Sequence, residues 1–476
     1  MSITRRKLLA SSLLAAAFNP LGKTLAAGAD VAHSSAPWHN WSGYLQSNPA
    51  QRFAPKSEQE LADFMKGNAG GVRPVGAGHS FSPLVPTNDA LVVLDNLSGV
   101  VAYDDASTTA VLRAGTRLSD SGPMLDQIGQ AMINLPDIDR QTIGGAIATS
   151  THGTGLGLGS LSAYVTSVRL VTPEGRVIDA NRNDNPEIYQ AARTNLGALG
   201  VLTEVGFQNR KPFKLKSMAW VEKTNTVIES FAERCLEYEH YEFMPFLHAD
   251  FSLVIAHKET DGALKPPVPE EDQGDIFGVL SNLPVFARRP VINFLVEAIE
   301  PSEAVEASYL ALTNIRNDRF NEMEYSVAVE DGLACVREIL DTVTKLGIDA
   351  LIPLEYRVIE KDDSWLSMFS GSAKASISIH RMAGYDYKPY FDVIEPIFWK
   401  YGGRPHWGKV HSLGYDELSN LYPHLDDFIE VQTELDPSGK MLNQHIAKIL
   451  TGTFRDRLDR TGRIGFEYVS LTRLVD

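Results

Sequence analysis

The stretch GGAIATSTHGTG, residues 144–155, constrains this chain more than any other, because its glycines alternate with the hydroxyl residues Thr149, Ser150, Thr151 and Thr154. Glycine lets a backbone approach a ligand closely, and hydroxyls can hydrogen-bond a pyrophosphate or a ring edge. Two further loops share this texture. GAGHSF (76–81) follows the strand-like VRPV, and LGALGVLTEV (196–205) places Gly197 and Gly200 before a β-branched run. The first imitates a dinucleotide fingerprint, with Asp95 downstream to hold a ribose, but Phe81 stands where the third glycine belongs and Pro83 follows, so no tight phosphate-binding helix can begin there. It also lacks glycines on both sides of a serine, which a hydrolase elbow needs. What remains is a loop whose amides can converge on anionic oxygens, with His79 projecting from it.

The chain has 476 residues, enough for two or three domains, and a formal charge of -16. Such an acidic surface repels phosphate backbones, so no nucleic acid partner is expected. Cys235 and Cys335 are too few for a disulfide framework or a four-thiolate metal site. One bridge is open to them, and the reading adopted is two buried free thiols. The histidines are dispersed, and no metal site is expected.

The N-terminus reads TRRKLL and runs into Leu- and Ala-rich sequence, with a small-residue cleavage site at Ala27-Gly28-Ala29. Residues 1–29 are read as a twin-arginine signal carrying Arg5 and Arg6, with an apolar run too short to span a bilayer. This predicts a soluble periplasmic protein, without stable membrane insertion, handed to the twin-arginine (Tat) export machinery after folding, commonly with a cofactor already inserted.

From about 50 to 210, short β-rich runs alternate with Gly-rich turns. Residues 225–238 and 303–315 look helical, and Leu333, Val336, Leu340, Val343 and Leu346 recur at helical spacing before Gly347. The prolines and carboxylates of 261–275 read as a solvated loop. The fold class is α+β, with a second domain beginning near 215. In LEYRVIE (354–360), period-two alternation puts Glu355 and Arg357 on one face; in ASISIH (375–380), it aligns Ser376, Ser378 and His380. Paired antiparallel, the two strands would form a polar wall for a polyhydroxylated ligand. In RPHWGKVH, extended geometry would align Trp407, Lys409 and His411.

GAGHSF, LPDIDRQTIGGAIATSTHGTG, NLGALGVLTEV and RPHWGKVH together resemble the vanillyl-alcohol-oxidase-type FAD-linked oxidoreductases, in particular their sugar-lactone (D-arabinono-1,4-lactone or L-gulonolactone) oxidase and alditol oxidase branch. The resemblance implies a two-part FAD-binding domain (36–212 with 402–476) and an α+β substrate or cap domain (213–401). It implies FAD attached covalently through His79. Gly76, Ala77, Gly78 and Ser80, together with Thr149, Ser150, Thr151, His152 and Gly153, would wrap the pyrophosphate. Phe81, Thr142, Gly145 and Thr154 would also bind the cofactor, Gly200 and Val201 would lie near the adenosine half, Pro136 and Asp137 would lie beside the flavin, and His411 would either orient the flavin edge or simply pack.

Glu355, Arg357, Lys409 and His380 would carry the chemistry: hydride transfer from a hydroxyl-bearing carbon of a sugar lactone or polyol to the flavin, reoxidised by oxygen to give hydrogen peroxide. Met382 replaces a threonine of the alditol enzyme, and Pro136-Asp137 replaces its Ala-Ser pair, so polyol specificity does not carry over with the motifs. A glycine or proline in the place of Pro136 accompanies oxygen reactivity in the superfamily. The rivals are an alditol oxidase, a dehydrogenase using another periplasmic electron acceptor, and a sugar-binding protein that keeps the fold without flavin.

Overall fold

Three larger sheets follow one another along the chain after a two-stranded pairing of Trp38–His39 with Gln46–Ser47. The computed structural model describes residues 36–267, 280–314 and 318–451; the segment 1–29 read as a signal lies outside them. So does most of the proline-rich loop, whose described part, 261–267, is exposed throughout. The first sheet is parallel, with strands β1 (Gln51–Phe53), β2 (Val72–Val75) and β3 (Ala90–Val93) in the order β1-β3-β2. Helix α1 (Glu58–Gly67) links β1 to β2, and Ser57 caps it by accepting from the Glu60 amide. The GAGHSF loop therefore leaves the carboxyl end of a parallel strand, where α/β folds place their ligands.

The second sheet is antiparallel: β4 (Val100–Asp104), β5 (Thr109–Arg113), β6 (Val165–Val171), β7 (Val177–Asn181) and β8 (Val201–Gln208), in the order β4-β5-β8-β6-β7. Between β5 and β6 lies the short helix α2 (Ile143–Ala148), whose cap Thr142 accepts from Gly145.

After Gln208 the chain passes to an eight-stranded antiparallel sheet. Its strands are β9 (Lys214–Lys223), β10 (His240–Pro245), β11 (Phe251–Glu259), β12 (Ser302–Ala307), β13 (Phe320–Ala328), β14 (Glu355–Ile359), β15 (Lys374–Met382) and β16 (Arg404–Pro405). Their order is β12-β9-β11-β10-β14-β15-β13-β16. Helices α3 (Thr224–Glu237) and α4 (Val329–Leu346) cover one face. There Phe231 meets Tyr356 edge-on at 4.9 Å, so Glu355 and Arg357, on the opposite face, look away from these helices.

Two expectations need correction. Residues 302–307 form edge strand β12, followed by a single turn at Ser308–Ala311, because pairing with β9 overrides the helical preference of Ala and Glu. Helix α4 is present and stops at Gly347 with φ +60, but its buried stripe runs through Gly332, Cys335, Val336, Ile339 and Val343, which leaves Leu346 58% exposed. Cys235 and Cys335 are buried free thiols, pushed up to about 12 by burial.

The C-terminal segment returns to the first sheet. The Lys440 carbonyl accepts from Val72, and buried Arg73 donates to the carbonyls of Leu84, Leu196, Gly197 and Met441. No helix among the described residues is long and apolar enough to cross a membrane.

Candidate active site

A cavity of about 1020 Å³ opens where the glycine-rich loops converge, lined by residues 76–80, Thr142, Gly145, Thr149, Gly200 and Val201. The loop after β2 is held from outside: the Gly78 carbonyl accepts from Trp41 and the Ser80 carbonyl from the Asn40 amide. A trans peptide sets its N–H opposite its C=O, so the His79 amide is directed away from that contact. Among the described residues nothing in the protein accepts from the amides of Ala77, Gly78, His79 or Ser80. Gly76 is obligatory, since a Cβ there would stand 2.1 Å from the Thr142 hydroxyl.

His79 stacks on Trp41 with centroids 5.2 Å apart. Burial pushes its imidazole down to about 4, with the charges of Lys409, Arg117 and Arg140 adding to the effect. It is a neutral base at any ordinary pH.

A second cavity, of about 1030 Å³, abuts the first, and Gln141, His406 and Lys409 line both. Its floor is the open face of the eight-stranded sheet. Strands β14 and β15 pair antiparallel with Glu355 opposite Ser378 and Arg357 opposite Ser376. Glu355 and Arg357 form an ion pair at 3.1 Å. On the far side of β15, Glu322 opposes His380 and Glu324 opposes Ser378. These two carboxylates escaped the sequence reading, although FNEMEYSV alternates with the same period as the strands that were recognised.

Glu322 accepts from the Lys409 ammonium and lies 3.6 Å from His380 Nε2. Glu324 is bonded to His152 Nε2 at 2.6 Å, accepts from Ser376, and lies 3.6 Å from Arg357. Burial alone would raise both carboxyls; Lys409 and His380 more than reverse this for Glu322, while His152, His406 and Arg357 do so for Glu324. For Arg357, burial opposes the charge, and Glu355 and Glu324 outweigh it. His406, also missed, accepts from the Gly408 amide at Nδ1, which leaves its proton on Nε2; burial pushes it down to about 3.

The fold also gathers two trios, His152-Glu324-His406 and Glu322-Glu355-His380, whose ligand atoms lie within 4.8 Å of one another. Residues so distant in sequence gave no spacing signal, hence the expectation of no metal. Each trio already holds a proton donor or cation of the protein, and Lys409 and Arg357 oppose further positive charge.

The other site residues divide. Pro136, Asp137, Thr151 and His152 line the second cavity. Ser150, Gly153, Thr154 and His411 line neither, and nor does Phe81, whose ring lies 5.1 Å from the Lys409 ammonium. Ser150, at φ +55, bonds Ser367; Thr154 bonds the Tyr241 carbonyl; a Cβ on Gly153 would meet the Leu135 carbonyl. The expected shared face of Trp407, Lys409 and His411 is absent, because the chain turns after Pro405, with the Lys409 amide donating to the His406 carbonyl. Lys409 is thereby aimed at Glu322, while His411 packs between Trp407 and His445.

Residues 205–449 match the family model "D-arabinono-1,4-lactone oxidase", and residues 49–181 match "FAD binding domain". The chain belongs to the D-arabinono-1,4-lactone oxidase family. Similar relatives span nearly their whole length on it. L-gulono-1,4-lactone dehydrogenase of Mycobacterium tuberculosis is 34% identical, covering 87% of this chain and 99% of the relative. L-gulonolactone oxidase of Scyliorhinus torazame is 28% identical over 86% and 97%, and alditol oxidase of a Streptomyces species 27% over 87% and 99%. Among solved structures, cholesterol oxidase of Brevibacterium sterolicum shares the fold at a TM-score of 0.74 and 17% identity, covering 90% of this chain and 99% of that one. The D-arabinono-1,4-lactone oxidase family member described here is thus an FAD-dependent oxidoreductase. FAD fits the first cavity: four loop amides await an acceptor, and Gln141 Oε1 and Thr151 Oγ1 are buried without a partner beside the junction of the two cavities.

Proposed function

We propose that the protein oxidises a hydroxyl-bearing carbon of an aldonolactone such as D-arabinono-1,4-lactone. The observation that carries this reading is the Glu355–Arg357 ion pair on a sheet face whose neighbouring cavity meets the glycine-loop cavity at Lys409. Bound FAD supplies the two-electron acceptor. Glu355 takes the proton of the reacting hydroxyl, and Arg357 holds that carboxylate and a substrate oxygen in register. The Lys409 ammonium offsets negative charge that develops during the transfer. His380, which lines the cavity, offers a hydrogen bond to a remaining hydroxyl, while Ser376 donates to Glu324 beneath it. Residues 36–212 with 402–476 serve as the cofactor unit and 213–401 as the cap.

Oxygen is the proposed electron acceptor, with hydrogen peroxide as product; Pro136 at the cavity wall supports this. The relative named a dehydrogenase favours, as second reading, another periplasmic acceptor. The neutral imidazole of His79 suits it to hold the flavin by a covalent bond. The Arg5-Arg6 pair supports Tat export of the folded protein to the periplasm. Anaerobic D-arabinono-1,4-lactone should bleach the flavin absorbance, and air should restore it with stoichiometric peroxide. Failure to bleach with any aldonolactone or polyol refutes the reading; bleaching without reoxidation by air transfers it to the dehydrogenase.

A further inference from the structure

The open face of the eight-stranded sheet changes character across its width. Glu324, Ser378 and Glu355 stand in one row on β13, β15 and β14. On β10, Phe243 pairs with Tyr356 of the covered face, so its neighbour Met244 falls on the open face beside Glu355, and Met244 in turn pairs with Leu253 of β11. The row therefore runs from carboxylate to hydroxyl to carboxylate, and then to thioether and isobutyl. Phe246 and Ile352 extend this apolar half, and both line the cavity.

This half is part of a packed core. Met244, Phe246 and Leu253 belong to a hydrophobic cluster with Ile292, Leu295 and Val296 of the helix Val285–Val296, which fixes their positions. Carbon after carbon of a small aldonolactone carries oxygen. Set against Met244 and Leu253, those hydroxyls would lose water and gain no partner. The polar strands alone can hold such a lactone, and the cavity continues past them.

We infer that the preferred substrate is amphipathic, a hydroxylated lactone or polyol head bearing an alkyl or acyl tail that lies over Met244, Leu253 and Phe246. The inference rests on the reading of the site as an aldonolactone-oxidising one and extends it to substrate class. The head occupies Glu355, Arg357 and His380, and the tail leaves water for the β10–β11 half.

The test uses purified holoenzyme and the 6-O-alkyl ethers of L-gulono-1,4-lactone, from methyl to octyl, beside the parent lactone. Kd is read from the perturbation of the oxidised flavin spectrum, and kcat/KM from turnover. Affinity should rise about fourfold per methylene until the apolar half is filled. Met244→Thr and Leu253→Thr, checked for flavin content and melting temperature, should each flatten that slope. A Kd independent of chain length, or a slope unmoved in both variants, overturns the inference, and if the parent lactone is still oxidised the proposed function stands. Oxidation of no member refutes the function, while a Kd that still falls with chain length sustains the apolar subsite.

Discussion

Lys409 donates its ammonium to Glu322, a carboxylate 87 positions earlier in the chain that also faces His380. The lysine thus approaches the junction of the two cavities fixed in place. A fixed charge acts on charge developing in the transition state without having to reorganise, and removing such a contact costs roughly 3 kcal/mol. Lys409→Met should therefore slow flavin reduction by about a hundredfold while changing substrate Kd far less. Stopped-flow reduction at near wild-type rate would place Lys409 outside the chemistry.

Glu355→Gln and Arg357→Leu should each reduce lactone oxidation below a tenth of wild type while the protein stays folded and yellow. Both members of the pair are buried, so removing Arg357 leaves the Glu355 charge unpaired, a cost of about 3 to 5 kcal/mol where no water replaces it, whereas after loss of Glu355 the guanidinium keeps Glu324 at 3.6 Å but loses the carboxylate that takes the proton. An exposed pair would cost under about 1 kcal/mol. Turnover, flavin content and melting temperature measured on the same samples separate the two cases.

For His79→Ala, the expected outcome is a protein whose flavin is released by acid precipitation, where the wild-type pellet stays yellow. Colourless wild-type precipitate would remove the covalent bond from the account and leave the cradle intact.

Gly76→Ala should lower flavin loading sharply, because its Cβ would drive the Thr142 hydroxyl out of the α2 cap. Flavin-to-protein absorbance after gel filtration reads this directly. Full loading would show that the loop after β2 has room to give.

Acid should destabilise the protein well before carboxylates titrate in bulk. Burial pushes His240 and His411 down to about 4, and His257, His406 and His445 to about 3. Unfolded imidazoles titrate near 6.5, so between about 6.5 and these values the unfolded chain binds more protons and stability rises with pH. The contribution is complete above about 6.5 and is lost as pH falls, by up to about 1.4 kcal/mol per pH unit for each imidazole. Melting temperature should drop steeply from pH 7 to pH 5, and His411→Phe should make the drop shallower without loss of flavin. An unchanged slope in that variant would mean that His411 is hydrated.

Features written within a few consecutive residues were legible. The alternation of Glu355 with Arg357 and the glycine-hydroxyl loops needed only local geometry. The pairing of Glu322 with Lys409 and the meeting of His152, Glu324 and His406 depend on strand order, which period-two patterning does not carry. Glu322 and Glu324 lay within reach, since their strand alternates as clearly as the others, with Met323 and Tyr325 on the opposite face. Strand β12 was hidden because its partner, not its composition, decides its shape. The common face of Trp407, Lys409 and His411 failed at the turn after Pro405, where one hydrogen bond redirects the side chains that follow.

The late position of Lys409 sets an order of assembly. During synthesis the glycine loops leave the ribosome early, whereas Lys409, and the Lys440 and Met441 carbonyls that tie down Val72 and Arg73, emerge among the last residues described. The glycine loops are thus synthesised before the lysine and the clasp that complete the cavity. A ribosome-bound chain arrested before residue 400 therefore carries the glycine loops together with Glu355 and Arg357 but lacks Lys409, which lines both cavities.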